Sequence, residues 1–342
     1  MLTHIKSVSH YMKKSSDYQK NVLHVSSMII VSMNIERMMI VRRIIISWNH
    51  LRDIIMNIYA TYQCNFHCKF CSIRKDHSEL VDLIWAENEL RSHPELCSNI
   101  NILGGEPSIL PLSYQDELIR LCQDVSKEPP YYITNLFEVS PLLAKCRTIV
   151  SYDFGLREHH REVFQNMLQL DIDFSISTVL TNYLVTNVGS EKYLNTIEGF
   201  KNCIRADLDI YYHAKNDSFD FTPENNQLIK FVKDVMGHRK VNLAPLSAMN
   251  HEIDSSFHNI SDYFAFMPPN KYGVRLDYVN GPYRIFDTFD KAITYYNERI
   301  NNNMCHNCTF LNTCWYPCSD DVCHGNKPML EEFKKYVLSS RR

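Results

Sequence analysis

From residue 57 onward the chain alternates between two hydrophobic periods. Runs of period two occur in "NIYATY" (57–62), "NINILG" (99–104), "YYITNL" (131–136), "TIVSYDF" (148–154), "DFSISTVL" (173–180) and "DLDIYYH" (207–213). Between them, near 81–93, 113–126, 158–170 and 190–203, Leu, Ile and Phe recur at three- and four-residue spacing. The first period predicts strands and the second predicts helices. Strand–helix alternation sustained over about 150 residues implies a parallel sheet with crossover helices. Six units rather than eight predict an α/β fold, an open or partial (β/α)6 TIM-like barrel. Reactive groups in such sheets gather at the carboxyl ends of the strands.

The rhythm changes after a helix expected over 224–238. "KVNLAPLS" (240–247) reads as one more strand, and "GVRLDYVNGPYRIF" (273–286) as a hairpin around Asn280-Gly281, a two-residue turn signal. A helix near 288–301 and another over 327–340 flank a cysteine-rich stretch. The expected division is a core over 56–239 and a small Cys-rich C-terminal domain over 240–342.

Residues 1–55 follow neither period. They carry a charge of +5 against −8 for the remainder, hold six methionines, and contain neither Gly nor Pro. A basic amphipathic docking arm is one reading. The preferred one is a poorly ordered extension or a non-native start, because "MNIYATYQC" from Met56 opens directly on a strand.

Composition narrows the function classes. A chain of 342 residues, 45% hydrophobic, can bury one large core or two smaller ones. Its 36 Lys and Arg against 39 Asp and Glu, net −3, produce no global field that would draw nucleic acid. The start lacks the apolar region of a signal peptide. The stretch "MIIVSMNIERMMIVRRIIISW" (28–48) is interrupted by Glu36, Arg37, Arg42 and Arg43, so no membrane span is expected. Twelve cysteines without a signal peptide then suggest a reduced, cytoplasmic protein rather than a disulfide framework. Cys97, Cys122, Cys146 and Cys203 are scattered and read as small buried hydrophobes.

The other eight cysteines are clustered. "YQCNFHCKFCS" (62–72) places Cys64, Cys68 and Cys71 directly after the first strand. Structural zinc and cubane iron–sulfur clusters both take four protein ligands. A triplet therefore suits a cubane with one open iron, or a zinc knuckle that borrows a distant ligand. Phe66 and Phe70 alternate with the ligands and are placed to shield a cluster or stack on a nucleobase. After the second strand, "LGGEPSIL" supplies Gly104, Gly105, Glu106 and Pro107. Glycines permit close backbone approach to a ligand, and a glutamate can accept from an ammonium.

Cys64-x3-Cys68-x2-Cys71, followed by this Gly-Gly-Glu-Pro, resembles the radical SAM superfamily over about residues 56–215. The resemblance implies a [4Fe–4S] cluster on the three cysteines whose open iron chelates S-adenosylmethionine. Reductive cleavage then yields a 5′-deoxyadenosyl radical that takes a substrate hydrogen. It further implies that Phe70 lies near the adenine and that Gly104, Gly105, Glu106 and Pro107 contact the methionyl group. Thr134 and Asn135 match the end of the family's third strand. Ser151 and Arg161 are placed to hold the carboxylate, with Phe154 where a glycine is usual and a shorter spacing. Asn182 lies toward the ribose.

The second cluster, Cys305-x2-Cys308-x5-Cys314-x3-Cys318-x4-Cys323, also suits tetrahedral zinc. It resembles the C-terminal part of a SPASM domain, whose full form holds two auxiliary clusters on seven cysteines. Here the hairpin near Gly281 carries no cysteine. The resemblance implies one auxiliary [4Fe–4S] cluster on Cys305, Cys308, Cys314 and Cys323, with Cys318 spare or an alternative ligand. The expected activity is peptide or protein modification, with a flavodoxin- or ferredoxin-type reductant. A small-molecule radical dehydrogenase is the alternative within enzymes, and a non-enzymatic iron–sulfur or zinc protein the alternative outside them.

Overall fold

A computed structural model of the chain describes residues 55–71, 78–94, 97, 99–211, 219–243, 264–274, 283–302 and 330–335. Its strands are β1 (Ile55–Thr61), β2 (Asn99–Gly104), β3 (Tyr131–Thr134), β4 (Arg147–Ser151), β5 (Phe174–Leu180), β6 (Cys203–Ile210), β7 (Val241–Leu243), β8 (Phe264–Met267), β9 (Lys271–Val274) and β10 (Arg284–Phe286). The helices used below are α1 (Leu83–Ser92), α2 (Leu112–Ser126), α3 (His160–Gln169), α4 (Gly189–Gly199), α5 (Asn225–Val235) and α6 (Phe289–Asn302).

All ten strands belong to one sheet, in the order β10-β9-β8-β1-β2-β3-β4-β5-β6-β7. From β1 to β7 each strand pairs in parallel with the next in sequence. A parallel pair needs a crossover, and right-handed crossovers taken in order put the connecting helices on one side. This is the partial-barrel arrangement expected from the sequence.

The period-two pattern has a direct counterpart. In β5, Phe174, Ile176, Thr178 and Leu180 are buried while Ser175, Ser177 and Val179 are half-buried. In β6, Ala206 and Leu208 are buried and Asp207 and Asp209 stand on the other face. α5 buries Leu228, Phe231, Val232 and Val235, a stripe at three- and four-residue spacing. α1 starts where Asp82 accepts from Trp85 N at 2.8 Å, an ordinary side-chain cap.

Several boundaries differ from the sequence reading, among them β6, expected over 207–213 and found at Cys203–Ile210. β3 stops at Thr134 and β4 at Ser151, short of 136 and 154, because the next residues turn into site contacts described below. The fourth helix was expected to reach 203, but it ends at Gly199 and β6 begins at Cys203. Phe200 is the pivot: it is 1% exposed and packs on Phe164 and Phe174, which pulls the chain off the helix axis.

Beyond β7 the sheet grows from its other side. β8 pairs in parallel with β1 and antiparallel with β9, and β9 pairs antiparallel with β10. The last pairing is the expected hairpin, although Asn280 and Gly281 themselves lie outside the described residues. β8 has no counterpart in the sequence reading. All four of its residues are buried, so it shows no alternation to read. Residues 1–54 and the five C-terminal cysteines also lie outside the described residues.

Ile102 sits at 0% exposure in β2, whereas Ile84 in α1 is 71% exposed. Ile102→Ala is expected to cost about 2–5 kcal/mol through lost burial and a residual cavity. Ile84→Ala should stay within about 0.5 kcal/mol. Urea unfolding of the two variants against wild type checks the contrast.

Candidate functional site

The chain leaves β1 at Thr61 and forms the cysteine loop, residues 62–71. Its path is set by the end of β2. Gly105 N donates to Thr61 O and Glu106 N to Gln63 O, both at 2.8 Å. Such proximity leaves no room for a side chain: a Cβ on Gly105 would lie 1.9 Å from Gln63 O. A Cβ on Gly104, whose φ is +143°, would lie 2.3 Å from Thr61 O. Gly104 thus lies against the last residue of β1, and Gly105 against the backbone of the cysteine loop.

Within the loop the two phenylalanines have different surroundings. Phe66 is 1% exposed and packs on Phe137 and His159, at ring separations of 5.7 and 5.6 Å. It anchors the loop. Phe70 is half-buried, edge-on to Phe221 at 6.2 Å. Cys64, Cys68 and Cys71 are half-buried and in no disulfide. Phe66 N donates to Cys64 Sγ at 3.4 Å, and Cys71 N closes a turn on Cys68 O at 3.2 Å.

Glu106 is 1% exposed and fully engaged by its own fold. Its Oε1 accepts from Ser108 N at 3.0 Å, from Thr134 Oγ1 at 2.8 Å and from the Ser108 hydroxyl. Its Oε2 accepts from Asn135 N at 2.5 Å. Burial, the largest influence, raises its pKa, and these donors act in the opposite direction without cancelling the rise. The Asn135 side chain then donates from Nδ2 to Asn65 Oδ1 at 2.7 Å, inside the cysteine loop. Thr134 and Asn135, expected from the sequence at the third strand end, therefore link β3 to both motifs.

The loop after β4 closes the other side. His67 N donates to Glu158 at 3.0 Å. Arg157 is held by Asp153, and its Nη1 lies 4.0 Å from Cys68 Sγ. Its guanidinium also covers the Phe70 ring at 5.1 Å. Burial works to lower the pKa of Arg157, but the charge of Asp153 and its hydrogen bond push it up, so the group is cationic. Neither Asp153 nor Arg157 was singled out from the sequence. The signal available was an acid and a base four apart in "DFGLR".

The remaining candidates are placed less centrally. Pro107 opens a 3-10 turn capped by Glu106. Ser151 ends β4, half-buried, and Arg161 is exposed in the first turn of α3. Asn182 follows β5, and its N–H donates at 2.8 Å to the carbonyl of Phe221, the ring that meets Phe70. Cys305, Cys308, Cys314, Cys318 and Cys323 lie outside the described residues. Of the scattered cysteines, Cys97, Cys122 and Cys203 are buried. Burial pushes the Cys203 thiol up to about 11 and Cys146 to about 12, which suits inert thiols.

The donor set fits an iron–sulfur cluster. Among the described residues no three His, Cys, Asp or Glu side chains converge on one metal ion. A cubane does not require convergence, since each thiolate takes a different iron. The Arg157 guanidinium lies beside Cys68 Sγ, and the buried Asn65 Nδ2, without a hydrogen-bond partner, leaves one donor over in the same loop.

No protein-family model matches the sequence, and no curated protein matches it. Solved structures do. anSMEcpe, an anaerobic sulfatase maturase with bound AdoMet and a peptide, superposes with a TM-score of 0.61 at 14% identity, over 84% of this chain and 96% of that one. SuiB from Streptococcus suis, bound to its precursor peptide SuiA, gives 0.56 at 16% identity, over 90% and 88%. Both are radical SAM enzymes, and this chain has their fold.

Two outcomes follow from the geometry. Gly105→Ala must push β2 and the cysteine loop apart; we expect a loss of about 1–3 kcal/mol and faster labelling of Cys64, Cys68 and Cys71 by a thiol reagent. Glu106 binds its proton more tightly folded than unfolded, so stability should fall as pH rises from the ordinary glutamate range through the raised value. In urea titrations across pH, Glu106→Gln should be less stable overall yet lack that fall.

Proposed function

We propose that this chain is a radical SAM enzyme that modifies a peptide. The observation that carries the reading is the cysteine triplet on the loop after β1, clamped to the Gly-Gly-Glu-Pro turn of β2 at the carboxyl ends of a parallel sheet. Cys64, Cys68 and Cys71 would hold three irons of a [4Fe–4S] cluster. With S-adenosylmethionine bound, that cluster supplies the radical that removes a substrate hydrogen.

The chain's own part is to hold and exclude. Gly104, Gly105, Glu106 and Pro107 would form the wall beside the metal centre. Glu106 acts mainly by locking that wall to β3, because its oxygens already serve Ser108, Thr134 and Asn135. Phe70, backed by Phe221, offers an apolar face for the adenine. Asn182, tied to the same Phe221, is assigned to the ribose, and Ser151 with Arg161 to the carboxylate.

Substrate would lie against the less buried face of the sheet. There Ser177 donates to Asp209 at 2.7 Å, and Asp207 is held by Arg205 and Asn242. A peptide is favoured because the structures of anSMEcpe and SuiB that share this fold hold peptides. We assign residues 56–239 to the core and 240–342 to a domain whose Cys305, Cys308, Cys314 and Cys323, with Cys318 in reserve, hold a second cluster or zinc. Electrons would come from a flavodoxin- or ferredoxin-type donor in a reducing cytoplasm. Among the described residues no helix is long and apolar enough to cross a membrane.

Anaerobic reconstitution tests the reading, with iron and zinc quantified and EPR recorded with and without S-adenosylmethionine. We expect about eight irons per chain, or about four plus one zinc, a signal perturbed by S-adenosylmethionine, and its cleavage under dithionite. Cys64→Ala, Cys68→Ala or Cys71→Ala should each abolish cleavage and remove about four irons. Zinc alone, with no effect of S-adenosylmethionine, would overturn the proposal.

A further inference from the structure

Asp153 and Arg157 form a connected path from the sheet to one cysteine. Asp153 is buried, its side chain 1% exposed, and Oδ1 accepts from Val179 N of β5 at 2.7 Å. Its Oδ2 takes Nε of Arg157, whose side chain is 20% exposed. One edge of the guanidinium is thus committed to the carboxylate. The opposite group, Nη1, is left facing Cys68 Sγ at 4.0 Å, within reach of a hydrogen bond to sulfur. Phe70 beneath the plane, at 5.1 Å, limits tilting. The guanidinium is therefore aimed by Asp153, itself anchored on β5, and by Phe70 of the cysteine loop.

Such an arrangement has a cost unless the charge is used. A pair of a buried Asp and a largely covered Arg contributes little net stability compared with apolar packing. A surface lysine near the loop would supply charge without direction. A planar guanidinium anchored on one edge supplies both charge and a directed N–H.

We infer that Arg157 is a positioning residue of the metal centre: it directs an N–H at the Cys68 sulfur and raises the potential at which the bound cluster accepts its electron. The inference rests on the reading proposed above and goes beyond it, since none of the residues assigned there performs this role. The physical basis is that net charge and hydrogen bonds to sulfur set cluster potentials. Adding an electron beside a fixed cation is favoured, and withdrawing an N–H from sulfur reverses the gain. Asp153 acts through Arg157 by fixing its direction.

The test is a potentiometric titration, followed by the EPR signal that responds to S-adenosylmethionine, on reconstituted full-length wild type and Arg157→Gln. We expect the variant to keep the responsive signal and to need a lower potential. The shift should correspond to at least tenfold in the reduction equilibrium, about 59 mV. An unchanged midpoint with the responsive signal intact overturns the inference and leaves the enzyme reading standing. Absence of any responsive signal in wild type overturns both. Should Arg157→Gln fail to fold or to load iron, the wild type itself decides. Protein grown on guanidino-nitrogen-15 arginine should show a weak nitrogen-15 coupling at that signal in pulsed EPR. No coupling overturns the inference.

Discussion

Glu106 sits at 1% exposure with both carboxylate oxygens taken by groups from two neighbouring segments. Removing a buried acceptor of this kind leaves several donors without partners, each at a cost of about 1–3 kcal/mol. The same residue's N–H holds Gln63, so one amino acid ties together the ends of β1, β2 and β3. The cysteine loop inherits its position from this junction. Glu106, read from the sequence as an acceptor for a ligand, is in the fold the keystone of this junction.

On that junction the loop is docked by two kinds of contact. Phe66 is driven into an aromatic pocket made by Phe137 and His159, worth about 1.5–3 kcal/mol of burial. That contact is nondirectional and fixes depth. The polar contacts, His67 N to Glu158 and Arg157 to Cys68, add direction. Both partners come from the β4–α3 loop, where Phe154, Gly155 and His159 take positive φ. The result is a loop whose three thiols stay half-buried while its apolar residue is hidden.

The sheet is asymmetric about β1. One side carries the sequential parallel strands to β7, while the other carries β8, β9 and β10 in a mixed arrangement. β1 is therefore an interior strand, with Met56, Ile58 and Ala60 at 0% exposure on one face. Asn57, Tyr59 and Thr61 on the other face are buried as well. A strand covered on both faces is rigid, which suits the element from which the cysteine loop departs.

The local period of hydrophobic residues determined by itself six strands, the five helices that follow all but the third of them and the parallel order, and so set the cysteine triplet and Gly-Gly-Glu-Pro at two strand ends. These are short-range properties, expressed in spacing within a single segment. Contacts across long sequence separations were decided only in the tertiary structure. β8 was invisible because four buried residues in a row have no period. The fourth helix was overextended because Phe200 turns the chain toward partners elsewhere. Arg157 has no counterpart in the sequence reading, since nothing in "DFGLREHHR" says that this arginine folds back onto a loop 89 positions away. Gly104 and Gly105 read as places of close approach to a ligand, whereas the atoms that crowd them in the fold belong to Thr61 and Gln63. A one-dimensional pattern can require a close approach; only the folded chain names what approaches.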